Sequence, residues 1–156
     1  MKTVLSPFVL IVVVALIGML APFSIDTYLP SFPSIEAELQ ASRAMLSQTL
    51  AVYLACFALA TLFWGPMADK GGRRPIILGS LLGYLVSSIV CALANSYELL
   101  LFGRALQGVM AAGSLVASRA MIRDYFQGQD AQRAMAVMMM LFTAAPALAP
   151  IIGGWL

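Results

Sequence analysis

Apolar residues in this chain come in long unbroken runs, not in the alternation of a half-buried strand or the one-sided stripe of a surface helix. Five runs stand out, at about 7–29, 44–66, 75–95, 99–121 and 134–156. Each is close to the roughly 20 residues a helix needs to cross the hydrocarbon core of a bilayer. Within lipid a spanning segment must satisfy its own backbone hydrogen bonds, and the alternation of a β-barrel is absent, so each run predicts a helix. Polar residues fill the gaps: PSFPSIEAELQASR at 30–43, GPMADKGGRRP at 65–75, NSYE at 95–98 and IRDYFQGQDAQR at 122–133. The predicted class is an all-α membrane protein with five transmembrane helices.

The first run has Lys2 before it and no charge from Thr3 to Ile25. That is longer than the apolar stretch of about 7–15 residues in a secretory signal, so it predicts a retained span. The last run stops at GGWL without a polar tail, so the chain is expected to be the front part of something longer.

Composition supports the membrane class. The chain is 62% hydrophobic and 10% charged, whereas soluble domains carry about 25% charged residues. Histidine is absent, which removes the usual neutral-pH proton carrier and the commonest metal ligand. Cys56 and Cys91 lie inside apolar runs at a spacing that suits no metal site, and are expected to be small buried residues. No nucleophile–base pair and no phosphate loop is visible, so no enzyme chemistry and no cofactor is predicted, and no nucleic acid is expected as a partner.

The charges set an orientation. Lys2, Lys70, Arg73, Arg74, Arg119, Arg123 and Arg133 fall on one side of the predicted spans, and only Arg43, accompanied by Glu36 and Glu38, falls on the other. By the positive-inside rule the N-terminus and both basic segments are cytoplasmic. Tyr28, Trp64, Tyr97 and Tyr125 sit at predicted span ends, where interfacial aromatics concentrate.

The stretch at 65–75 concentrates Asp69, Lys70, Arg73 and Arg74 beside two glycines. A tight turn with topology-setting charges accounts for much of it: Gly71 and Gly72 tolerate unusual backbone angles and Pro75 suits the first turn of the next helix. It does not account for the Gly-x-x-x-Asp-Lys-x-Gly-Arg-Arg spacing. GPMADKGGRR resembles the loop signature of the major facilitator superfamily between its second and third helices. Further matches follow in order. Arg104-Ala-Leu-Gln107-Gly108 resembles the superfamily's Arg-x-x-Gln-Gly motif. AAPALAPIIGGWL, with Pro146, Pro150, Gly153 and Gly154, resembles the Gly-Pro-x-x-Gly-Gly motif of drug/proton antiporters. SIDTYLPSFPSI and SRAMIRDYF resemble Bcr/CflA-type drug-resistance exporters. One departure is Ala145 and Ala149 where the antiporter motif has glycine; the small-x-x-x-small spacing survives and still permits close helix packing.

The resemblance covers the whole chain and implies five of the six helices of the N-terminal bundle of a major-facilitator fold. It implies a multi-pass protein of a bacterial inner membrane that exports amphipathic drugs in exchange for protons, with lipid and the missing C-terminal half as partners. The charged loop, Gly65 through Arg74, is then a conformational latch. Asp69 would meet a helix end of the other half, and Arg73 an acid at the end of the fourth helix, here Asp124.

Two charges lie within spans, Asp26 and Arg104, each about 5–10 Å below the outer boundary at a rise of about 1.5 Å per residue. A charge at a helix centre costs roughly 2.5–3.5 kcal/mol on insertion scales, so each needs a reason. One reason is snorkelling to the interface. The resemblance implies another: Arg104 supports the contact between helices one and four, and Asp26 faces a cavity as the proton-coupling group. Gln107, three residues on from Arg104, shares its face and could bond to either. Burial opposes and a nearby cation favours a charged carboxylate, so Asp26 beside Arg104 would be suited to exchange a proton or meet a cationic substrate. The small residues of the fourth helix, Gly103, Gly108, Ala111, Ala112, Gly113 and Ser114, predict tight packing more than a ligand surface. Met138 to Met140 and Phe142 suit lipid, packing or drug contact alike. Two other functions fit the same features: a nutrient importer of the same superfamily, and a non-transporting five-helix subunit or remnant.

Overall fold

The computed structural model describes residues 7–126 and 128–153. Its ordered elements are α1 (Pro7–Gly18), α2 (Leu20–Tyr28), α3 (Phe32–Leu39), α4 (Arg43–Gly71), α5 (Arg73–Ala92), α6 (Tyr97–Tyr125) and α7 (Gly128–Gly153), with no strand among the described residues. Four stretches among them are long and apolar enough to cross a membrane: Phe8–Tyr28, Arg43–Gly71, Arg73–Ala92 and Tyr97–Tyr125. The fifth predicted run falls on α7 and on residues 154–156, the latter outside the described residues together with Lys2.

α1 and α2 are two parts of the first span. The ladder continues across the junction, with Met19 N donating to the Ala15 carbonyl and Phe23 N to the Met19 carbonyl, both at 3.0 Å. The irregularity at Gly18 has a cause in the sequence: Pro22 has no N–H, so the Gly18 carbonyl loses its i+4 donor.

The polar gaps prove shorter than the sequence suggests. α4 runs helically through Pro66 and Asp69 to Gly71, so the expected turn at 67–74 contracts to Gly72, at φ 86° and ψ 152°. Helix continues because Pro66 removes only one ladder bond while its neighbours keep theirs. The second polar segment behaves alike: α6 carries Arg119, Arg123 and Asp124 to Tyr125, and α7 starts at Gly128. A short helix, α3, occupies the first gap and stops at Gln40 in the left-handed region, φ 49°. Both α4 and α6 open on a serine cap: Ser42 Oγ accepts from Met45 N at 3.3 Å, and Ser96 Oγ from Leu99 N at 3.2 Å.

The bundle is organised around α6, which packs on α4 and on α5, while the first span packs on α6 and α7. Its core is small and partly polar: Thr49, Ser80, Ser87, Ser114 and Ser118 are fully buried beside Ala112 and Ala117. The large apolar residues point outward, with Leu62 71% and Phe63 70% exposed. That inversion is what lipid demands, because Leu against a lipid tail gains nothing from being buried and close helix approach needs small residues. At Gly108 the approach is closest, since a Cβ there would lie 2.4 Å from the Tyr53 carbonyl oxygen of α4. The small residues of α6 therefore serve packing.

Candidate functional site

The first polar cluster forms where α2, α5 and α6 meet. Arg104 stands over the ring of Tyr28, with Cζ 3.5 Å from the ring centroid. Its Nη1 donates to Gln107 Oε1 at 3.0 Å and to Ser24 Oγ at 3.4 Å. Gln107 Nε2 donates onward to Ser88 Oγ on α5 at 2.9 Å. Tyr28 is itself fixed by a 2.7 Å bond between its hydroxyl and Thr49 Oγ1 on α4. The local sequence explains the geometry: Ser24 and Tyr28, four apart, share one face of α2, and Arg104 and Gln107, three apart, share one face of α6. A cavity of about 490 Å³ opens beside this cluster, lined by Thr27, Tyr84, Cys91 and Leu100 as well as the cluster residues. Arg104 is half-buried, and its cation–π contact contributes about 0.5–2 kcal/mol, which helps hold it in the wall.

Asp26 is not part of it. Two residues from both Ser24 and Tyr28, it lies about 200° round the helix, on the other face. No ion pair joins it to Arg104 among the described residues. The expected neighbour relation of Asp26 and Arg104 is thus corrected by helix rotation: equal depth placed them together, but Ser24 and Tyr28 take the arginine. The Asp26 Oδ2 is buried without a hydrogen-bond partner.

The second cluster lies at the Arg73 end of the bundle. Arg73 Nη1 reaches Asp69 Oδ1 at 2.5 Å and Arg73 Nε donates to Asp124 Oδ2 at 2.8 Å, so one guanidinium ties α4, α5 and α6. The positive φ of Gly72 turns the chain so that Arg73 can face both acids. A cavity of about 330 Å³ here is lined by Gly65, Asp69, Arg73, Arg123 and Asp124. Lys70 and Arg74 are exposed. Positions 146, 150 and 153 are helical in α7, whereas Gly154, like the side chains of Pro146 and Pro150, lies outside the described residues.

Two aromatics depart from the interfacial role expected of them. Trp64 sits within α4 and its indole Nε1 donates to the Val109 carbonyl of α6 at 2.8 Å. Tyr28 is buried beneath Arg104. Tyr97, whose hydroxyl donates to Gln48 Oε1 at 3.0 Å, and the exposed Tyr125 do lie at helix ends. Sequence reasoning missed Ser24 and Ser88. Their only signal was their register with Tyr28 and Gln107, which becomes meaningful once the helices are rotated into place.

A polytopic helical bundle with an exposed apolar coat, a charge-linked end and a buried arginine cluster is an integral membrane protein of the multi-pass kind. Residues 14–156 match the Major Facilitator Superfamily, and the chain belongs to that family, whose members are transporters and not enzymes. It is 36% identical over 151 residues to the bicyclomycin resistance protein homolog of Haemophilus influenzae, covering 97% of this chain and 38% of that protein. It is 39% identical over 142 residues to the uncharacterized MFS-type transporter YdgK of Bacillus subtilis, covering 89% and 35%. It is 38% identical over 135 residues to the multidrug resistance protein MdtL of Salmonella typhimurium, covering 86% and 34%. The chain thus spans about a third of the length of these relatives.

Proposed function

We propose that this chain is the N-terminal membrane bundle of a bacterial multidrug efflux transporter that exchanges amphipathic drugs for protons. The observation that carries it is the alignment of 97% of the chain with a relative named for bicyclomycin resistance. In this reading the five spans belong to a six-helix bundle in the inner membrane, with the N-terminus and the Arg73 end in the cytoplasm. Two inverted three-helix repeats rock about a midplane site. The Asp69–Arg73–Asp124 link closes the cytoplasmic side and favours the outward-facing state. Because these carboxylates are exposed, the link is weak enough to break on each cycle. Asp26 supplies the proton: its free oxygen is open to a proton or to a cation on the substrate, and no arginine is fixed to it. Arg104 and Gln107 shape a separate wall, on the opposite face of α2 from Asp26, and the proline-containing α7 carries the antiporter motif.

The test is expression of the whole gene encoding this chain in an efflux-deficient bacterial host. Reduced susceptibility to bicyclomycin or chloramphenicol is expected, with drug-induced proton movement in inverted vesicles that Asp26→Asn abolishes. Unchanged susceptibility, or accumulation of the compound inside the cell, would overturn the export reading.

A further inference from the structure

α6 carries a second arginine within its candidate span, Arg119, that neither cluster uses. Arg119 lies 15 residues on from Arg104, about 22 Å along the helix at its ordinary rise, so the two belong to different sites. It is half-buried, its Nε is buried without a hydrogen-bond partner, and it enters no ion pair among the described residues. The nearest acids in sequence, Asp124 and Asp130, are held by Arg73 and Arg133. Nor does its position favour escape to the end of α6. Helical side chains lean towards the N-terminus of their own helix, which here points Arg119 away from Asp124 and into the bundle.

Arg119 instead enters a cavity of about 490 Å³ lined by Pro22 and Ile25 of α2, Phe57 and Thr61 of α4, and Leu115 of α6. Except for the arginine and one hydroxyl, these walls are apolar. Thr61 Oγ1 gives its proton to the Ala58 carbonyl at 2.6 Å, so the cavity offers one strong donor group with no acid to meet it. Phe57, which lines the cavity, is stacked with Tyr53 at 6.3 Å between centroids. A volume of this size suits a small molecule, and such pockets pair apolar walls with a few placed polar groups.

We infer that this cavity binds a small amphipathic anion from the aqueous phase, its carboxylate or sulfonate on the Arg119 guanidinium and its apolar body against Pro22, Ile25, Phe57 and Leu115. A guanidinium fork matches a planar or tetrahedral oxyanion bidentately, which a lysine could not reproduce. The inference deepens the efflux reading by naming one charge class of substrate, and it rests on that reading only for its physiological meaning.

The test is equilibrium binding to the purified full-length product of the gene encoding this chain, in phosphatidylcholine nanodiscs, with empty discs subtracted. The probes are 8-anilinonaphthalene-1-sulfonate and its sulfonate-free counterpart N-phenyl-1-naphthylamine. A saturable single site for the sulfonate is expected, weakened about tenfold or more by Arg119→Gln and less by Arg119→Lys, as loss of a charged hydrogen bond predicts. Arg123→Gln, on the exposed end of α6, should leave it unchanged, and the uncharged probe should bind all variants alike. Equal sulfonate binding by wild type and Arg119→Gln would overturn the inference. So would equal loss of the uncharged probe, which marks a collapsed pocket, or equal loss in Arg123→Gln, which marks unspecific charge. Abolition by phosphatidylglycerol in the discs would make this a lipid site and overturn it too. Binding is measured without transport, so a failed efflux assay and a failed binding assay are separate results.

Discussion

Replacing Gly108 with alanine adds one methyl group and should loosen the whole α4–α6 contact. The new Cβ would stand 2.4 Å from the Tyr53 carbonyl oxygen, 3.2 Å from its carbon and 3.3 Å from Phe57 N. All three are backbone atoms, so no side chain can swing aside. Tolerable carbon–oxygen contact begins near 3.3 Å, so α4 must retreat by about 0.9 Å. A gap of about 0.5–1 Å forfeits a quarter to a half of each dispersion contact across it, and overpacking of this kind costs about 1–3 kcal/mol. Alanine returns up to about 1 kcal/mol of helix propensity. The net loss therefore lies between about 0 and 3 kcal/mol, with a midpoint of about 1.5 kcal/mol, or roughly 3–6 °C in Tm for a chain of this size on the soluble-protein scale.

The same retreat stretches the 2.8 Å bond from Trp64 Nε1 to the Val109 carbonyl beyond hydrogen-bonding range. Thermal unfolding in detergent and tryptophan emission should therefore move together. Gly79→Ala is the control, because nothing lies within 4 Å of a Cβ there, and it should be neutral or stabilising by up to about 1 kcal/mol. If Gly108→Ala melts with wild type and leaves Trp64 emission unshifted, the helices do not approach as closely as argued.

Asp124→Asn and Arg73→Gln should each change stability by no more than about 1 kcal/mol, since the acids are 57–67% exposed and exposed ion pairs contribute little. A double-mutant cycle by chemical unfolding checks this, and a coupling above about 2 kcal/mol would contradict it. Arg104→Lys keeps the charge but loses the planar guanidinium stacked on Tyr28 and shifts the donor of the bonds to Ser24 and Gln107, so a fall of about 1–3 kcal/mol in unfolding free energy is expected; wild-type stability would show that charge alone suffices. With Cys56 and Cys91 replaced by serine, a cysteine at Lys70 should resist an impermeant maleimide in intact cells and one at Glu98 should react. The opposite pattern would invert the proposed orientation.

The spans were legible because run length and composition carry that signal without help from tertiary structure. Helix ends were less so. Gly65, Pro66 and the charges of 69–74 read as a turn, yet α4 continues to Gly71, because polar side chains at a helix end can reach water while the backbone ladder persists. The Arg73–Asp124 pair followed from the motif, and the ion pair is present. The surroundings of Arg104 did not follow. Depth along two helices can be counted from residue numbers, but which faces meet depends on how the helices rotate, and that is set by contacts such as Gly108 against Tyr53. Hence Ser24 and Tyr28, not Asp26, were the partners to find. Arg119 drew no notice for a different reason: counted as a topology charge, it already had a sufficient reason to exist.

The three intramembrane charges now divide into two kinds with opposite consequences for stability. Arg104 is embraced by a ring and two oxygen acceptors, so removing it strips the Gln107 Oε1 of its donor and the Tyr28 ring of its cation, and should destabilise. Asp26 and Arg119 each keep a buried atom unpartnered, as Arg104 does at Nε, but among the described residues they make no side-chain bond that offsets it. Asp26→Asn and Arg119→Gln should therefore leave the bundle as stable as wild type or raise it by about 0.5–2 kcal/mol, the range of an ordinary stabilising substitution. Side-by-side thermal melts of the three single variants in one detergent decide the matter. If Arg104→Gln, Asp26→Asn and Arg119→Gln all fall by the same amount, the unpartnered charges are structural after all, and the functional weight placed on them would have to be withdrawn.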